Sequence, residues 1–138
     1  MSAQGKALAR RLMEEVWSKG DSSVTHEIVS AGFTNRDPST PDCGCGPEAY
    51  NRIVGGYRSA FPDATFTIDD TIAEGDKVAI RYTCRGTHEG ELLGIPPTHK
   101  QITATGILIF RVAGGKIEEA WVNWDTLGLL RQLGVFDK

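Results

Sequence analysis

Trp121, Asn123 and Asp125 stand two residues apart where the last apolar alternation of the chain gives way to a leucine-rich tail. Side chains alternate along a strand, so without a bulge an indole, an amide and a carboxylate share one face there. An apolar wall solvates a carboxylate poorly, which makes Asp125 a stronger base toward a proton on carbon next to a carbonyl. Asn123 could then hydrogen-bond a substrate oxygen. His88, beside the Gly86 turn signal, titrates in the range suited to proton transfer or carbonyl polarisation. Each has a plainer role as well. Asp125 precedes the leucine tail and is a good helix N-cap, a contribution of about 1 kcal/mol; His88 could simply anchor a loop. The direction of the Asp125 carboxylate, into a pocket or back onto helix N–H groups, separates the two roles.

The elements that must hold these groups are legible in the periodicity. Leu8, Leu12 and Val16, with Met13 and Trp17 alongside, predict an amphipathic helix over 4–18 ended by Gly20. Asp21 offers a cap for a shorter helix through Ile28 and Val29, after which Gly32 to Asp37 should run out toward an exposed loop kept irregular by Pro38, Pro41 and Gly44. Gly46-Pro47 starts a third helix with Tyr50, Ile53, Tyr57 and Phe61 on one face, and Pro62 stops it. Gly55-Gly56 within it predicts close packing or a bend. Trp17 and Tyr57 read as core residues that also border the pocket.

From Ala64 the period becomes 2. Phe66, Ile68 and Ile72 lead through Gly75-Asp76 into Val78, Ile80, Tyr82 and Cys84, one hairpin. The runs Ile102 to Val112 and Ile117 to Trp124, joined by Gly114-Gly115, make another. Leu127, Leu130 and Leu133 predict a final helix stopped by Gly134. The expectation is a single α+β domain over 1–138: N-terminal helices packed on a curved, mostly antiparallel sheet, with a short C-terminal helix and a conical pocket between the layers. Arg81 should face solvent or a subunit partner. Trp124 and Val122, with one face of Ile107 to Phe110, should lie on the outer side of the sheet and form a homodimer interface.

Composition narrows the function classes. With 138 residues, 40% apolar and 24% charged, the chain suits one core rather than disorder. A net charge of −3 with no Lys/Arg stripe argues against nucleic acid as partner. No apolar run approaches a membrane span and no leader is legible, which gives a cytoplasmic expectation. Cys43, Cys45 and Cys84 are an odd set without CxxC or HxxxH spacing, so no structural metal is expected.

Several motifs then resemble one family together: Ala60-Phe61-Pro62-Asp63, Gly86-Thr87-His88-Glu89-Gly90, Gly94-Ile95-Pro96-Pro97-Thr98, Gly115-Lys116-Ile117-Glu118-Glu119, Trp121 four residues before Asp125, and Gln132-Leu133-Gly134. The chain resembles the SnoaL-like polyketide cyclases, within the wider nuclear-transport-factor-2-like (NTF2-like) and ketosteroid-isomerase-like fold. The resemblance implies a cone-shaped domain and an intramolecular aldol ring closure without metal or organic cofactor, with Asp125 at the position of the acid/base group. The Thr-His-x-Gly motif implies a role for His88. Two residues depart from the pattern: Arg36 stands where similar sequences carry His, and His99 where they carry Gly. Arg cannot serve as a base, so Arg36 is expected to bind an anionic or carbonyl oxygen instead.

The expected function is therefore a cofactor-independent cyclase acting on a small hydrophobic carbonyl compound. Asp125 and His88 are the expected catalytic residues, with Asn123, Trp121, Arg36, Trp17 and Tyr57 as the substrate-binding set. Isomerisation or hydrolysis on the same scaffold, or ligand binding without turnover, are the alternatives. An Arg36 to Asp125 ion pair would favour anion binding over carbon-acid chemistry.

Overall fold

The computed structural model describes residues 2–39 and 44–137; Pro41 and Cys43 lie outside them. Helix α1 (Ser2–Arg11) continues through a π-helical stretch, Leu12–Ser18, in which Leu12, Met13 and Val16 are buried. The wider turn ends with the Asp21 N–H donating to the Glu15 carbonyl at 2.9 Å, and Gly20 breaks the helix at φ 71°. Met13 and Trp17 thereby both reach the sheet side. Helix α2 (Ser22–Ile28) is capped as expected, the Asp21 carboxylate accepting from Ser23 N–H.

The segment expected to leave α2 as a loop is instead strand β1 (Val29–Arg36), paired in parallel with the last strand. Val29, Ser30 and Phe33 are buried, whereas Ala31, Gly32 and Arg36 are exposed, so the apolar content is too sparse to show a period of 2. Helix α3 (Gly46–Ala60) starts with proline in its first turn and lays Tyr50 and Ile53 on the core. Gly55 and Gly56 are neither closely packed nor placed for contact: a methyl group at either would meet nothing within 4 Å.

Strands β2 (Thr65–Glu74), β3 (Lys77–Thr87), β4 (Gln101–Ala113) and β5 (Lys116–Trp124) complete a 5-stranded sheet of order β1-β5-β4-β3-β2, antiparallel except for β1 with β5. The helices cover one face and a short α4 (Thr126–Gln132) closes the end. The deeply buried residues here are Leu129 in α4 and Leu133 just past its end; Leu127, expected on the apolar face, is 51% exposed. Arg81 is exposed and pairs with Asp69 and Asp70, as its alternation predicts. No helix among the described residues is long and apolar enough to cross a membrane.

A register irregularity in β5 decides the site. Arg111 pairs with Glu119, but the next residue, Val112, pairs with Ile117, so Glu118 is the extra residue of a β-bulge. A bulge reverses the alternation beyond it. Ile117 points inward, and after Glu118 the inward set becomes Ala120, Val122 and Trp124. Trp121, Asn123 and Asp125 consequently belong to the outer parity, the reverse of the sequence expectation.

Candidate functional site

Between α3, the π-helical stretch and the inner face of the sheet lies a cavity walled by Trp17, Tyr57, Phe66, Tyr82, Val122 and Trp124. Its empty space is about 740 Å³ counted out through the mouth, but the cavity proper is a slot of about 60 Å³. Aromatic rings meet edge-on or tilted: Trp17 with Tyr50, Tyr57 and Phe66 at 6.0, 6.0 and 5.2 Å between centroids, and Tyr57 with Trp124 at 5.4 Å. Such walls suit a flat, largely apolar ligand.

The polar groups of the wall come chiefly from the missed strand and its continuation. Phe33, Asn35 and Asp37 follow one another at alternate positions; Phe33 packs on Tyr50, and Asn35 and Asp37 line the cavity. Asp37 is its carboxylate. It accepts from Ser39 N–H at 2.9 Å and Ser39 Oγ at 2.7 Å, and the Trp124 indole N–H donates to that same Oγ at 2.8 Å. This chain of bonds fixes the carboxylate against the β5 wall. Asn35 Oδ1 is buried and has no hydrogen-bond partner among the described residues.

Other polar groups are already engaged. Trp17 Nε1–H donates to the Tyr50 hydroxyl at 2.7 Å, and burial pushes that phenol well above its ordinary range despite the bond. Arg58 donates to the Trp17 and Ser18 carbonyls, each at 2.8 Å, so its guanidinium ties α3 to the π-helical stretch. Burial pushes the Cys84 thiol up to about 12, leaving it a small apolar wall residue rather than a nucleophile. Among the described residues no group of three or more His, Cys, Asp or Glu side chains is placed to hold a metal.

Of the residues singled out from sequence, Trp17 and Tyr57 do line the cavity. The others lie elsewhere. Asp125 is exposed and turns back onto α4, accepting from Gly128 N–H at 2.8 Å; a side chain at Gly128 would push that carboxylate aside. Asn123 is exposed, and Trp121 lies on the outer face with Lys77 Nζ 6.0 Å from its ring centre. Trp124 and Val122, expected outside, form the cavity wall. Arg36 points away, donating through Nε to Glu119 at 2.6 Å, a bond that holds the Glu119 carboxyl below its ordinary value. Because the Glu118 bulge rotates the end of β5, the corrections along that strand share one cause.

His88 is fully buried, but its ring packs on Phe61 with 5.5 Å between centroids and does not itself line the cavity. Nδ1 accepts from Thr98 N–H at 3.2 Å and meets Thr98 Oγ1 at 3.0 Å. It anchors the loop between β3 and β4 rather than bordering the cavity. Burial holds its pKa below the ordinary histidine value, the Gly90 carbonyl partly opposing. A group whose folded pKa is depressed stays neutral in the fold while the unfolded chain takes up a proton. Stability from His88 is therefore complete above about pH 6.5 and is lost as pH falls from there toward the depressed folded value. Thermal melts from pH 8 to pH 5 should show a fall that His88→Gln flattens; parallel curves for the two proteins would refute this.

The missed site residues, Asn35, Asp37, Ser39, Tyr82 and Trp124, had one available signal. Once β1 is read as a strand, the buried Phe33 places Asn35 and Asp37 on its own face.

This arrangement, a helix-covered curved sheet enclosing an aromatic slot, is the NTF2-like fold. Within it the chain belongs to the SnoaL-like polyketide cyclase family, whose model matches residues 7–133. It is 30% identical over 125 residues to the nogalonic acid methyl ester cyclase of Streptomyces nogalater, covering 88% of this chain and 92% of that one. Similarity to the aklanonic acid methyl ester cyclase DauD of Streptomyces sp. (strain C5) is 28% over 130 residues, with coverage of 90% and 78%. Among solved structures, TsrD from Streptomyces laurentii superposes with a TM-score of 0.86 at 30% identity, over 96% of each chain.

Proposed function

We propose that this chain is a polyketide cyclase that closes a ring by intramolecular aldol addition, with Asp37 as the group that moves the proton. The observation that carries this reading is a carboxylate held by Ser39 and Trp124 inside an aromatic slot, in a chain of the cyclase family. Asp37 takes a proton from carbon next to a carbonyl, and the electron pair passes to that carbonyl oxygen. The enolate carbon attacks a second carbonyl of the same molecule, and the proton returns from Asp37 to the new alkoxide. All atoms of the substrate remain in the product, and the chain's own carboxylate supplies the acid–base step. The narrow slot folds the substrate so that the two carbons meet, which contributes at least as much as the base.

Nogalonic and aklanonic acid methyl esters, named in the relatives, are the first substrates to try. Purified protein should convert one of them, or a related polyketide ester, to a product of identical mass that has one ketone carbonyl fewer and one hydroxyl more. Binding of these esters without any change of product pattern would support the alternative of a ligand-binding module.

The protein is expected to act as a homodimer through the outer sheet face, though not by Trp124 and Val122, which face inward. Ile72, Ala79, Ile109 and Trp121 are successive partners across four strands and make an outer apolar stripe, with Ile72 66% and Ile109 37% exposed. Ile109→Lys should halve the mass measured by analytical ultracentrifugation without altering the circular dichroism. A wild-type monomer at micromolar concentration would overturn the dimer.

A further inference from the structure

Two polar groups of the cavity have no partner among the described residues, and they are of opposite kind. Tyr82 lines the cavity with no hydrogen bond from its hydroxyl to the described residues, while Asn35 Oδ1 is a buried acceptor left unsatisfied among them. An unmet buried polar atom costs about 1–3 kcal/mol, so Asn35 Oδ1 is a standing cost unless a ligand meets it, and the Tyr82 hydroxyl is a donor open to one.

The place of Tyr82 is built. Its neighbour across β4 is Gly106, whose own neighbour on β5 is Trp124. A Cβ at Gly106 would stand 2.5 Å from the Tyr82 hydroxyl oxygen and 2.8 Å from Trp124 Cβ, so only glycine lets the phenol lie across the sheet beside the Trp124 wall. The Asp37 charge acts on this same phenol, and burial, with that charge and others, raises its pKa far out of the neutral range. Tyr82 therefore stays a donor when a negative oxygen forms nearby.

Resting on the proposed cyclase activity, we infer that Tyr82 donates its hydrogen bond to the carbonyl oxygen that becomes the enolate, while Asn35 accepts one from a hydroxyl of the substrate. The substrate class is accordingly a flat hydroxy-carbonyl compound, with the enolisable carbonyl turned to Tyr82 and the free hydroxyl turned to β1. Tyr82 remains neutral throughout, since the proton leaving carbon goes to Asp37. Its bond strengthens as charge develops on oxygen, so it acts on the transition state more than on the bound substrate. The Asn35 bond is equal in both and acts on affinity. A site built to accept a hydroxyl rejects an analogue without one far more strongly than a pocket judges size.

The experiment pairs kinetics with binding. Tyr82→Phe keeps the ring and should lower kcat about 100-fold with KM little changed; Asn35→Leu should leave kcat within a few-fold and raise KM. Binding is read without turnover by quenching of tryptophan fluorescence, since Trp17 and Trp124 wall the slot, using a dihydroxyanthraquinone and its dimethyl ether as probes. Wild type should prefer the dihydroxy compound at least tenfold, and Asn35→Leu should bind both alike. Full kcat in Tyr82→Phe with a dead Asp37→Asn would overturn the Tyr82 role and leave the cyclase reading standing. Equal binding of both probes by wild type would overturn the Asn35 role. Unaltered turnover in Asp37→Asn would instead bring down the proposed proton transfer beneath both.

Discussion

Asp37→Asn is expected to lower kcat about 1,000-fold while melting within a degree or two of wild type, because the amide oxygen can still accept from Ser39 and only proton transfer is lost. The informative contrast is with Asp125. Asp125→Asn should keep turnover, since its carboxylate bonds to Gly128 N–H on the outer side of the strand end. Asp125→Ala should cost about 1 kcal/mol of stability through the lost cap and still turn over. The β5 residues that face inward are Ile117, Ala120, Val122 and Trp124, so that strand brings no carboxylate to the cavity. The reverse pattern, with Asp37→Asn active and Asp125→Asn folded but dead, would return the chemistry to the strand end and discard the β1 assignment.

Deleting Val122 should have the largest effect on folding. With one residue fewer beyond the bulge, Trp124 turns to solvent while Asn123 enters the apolar layer without partners. Each large apolar side chain lost from the core forfeits about 1.5–3 kcal/mol, and the buried amide adds about 1–3. Their sum approaches the entire stability of an ordinary domain, about 5–15 kcal/mol. Urea titration should find no cooperative transition in this deletion protein. Deleting Glu118 carries the opposite expectation, because Ile117 and Ala120 then fall into regular alternation, both still inward, with Glu119 still opposite Arg111. That protein loses the 2.9 Å bond from Ser30 Oγ and should unfold cooperatively near the wild-type midpoint. Loss of the cooperative transition on deleting Glu118 would show that it is not the extra residue of β5.

That single residue also explains how far the sequence could be read. The helices, the Gly75-Asp76 and Gly114-Gly115 hairpins and the Asp21 and Asp125 caps rest on local chemistry, and each forms where expected. The family motifs pointed to the right fold for the same local reason. The facing of β5 is different, since it depends on a bulge fixed by pairing with Val112 and Arg111, and no residue type announces it. Glu118 and Glu119 look like ordinary outer-face carboxylates. Strand β1 was obscured by Ala31 and Gly32, which bury nothing, and by a parallel partner far along the chain. With neither feature marked by residue type, alternation alone assigns the cavity's polar groups to the last strand, whereas they sit on the first.

The parallel pairing of β1 with β5 also bears on the order in which the molecule comes together. Thr34 meets Glu119, so the first strand to leave the ribosome has no neighbour until the last one has been made. Contacts of such long separation slow folding, and segments made early fold first where they can. Helices α1–α3 can collapse on one another during synthesis, but the cradle of Asn35 and Asp37 acquires its opposite wall only when Trp124 arrives. Ligand binding should therefore be the last property a refolding chain recovers, after its helical signal has already returned.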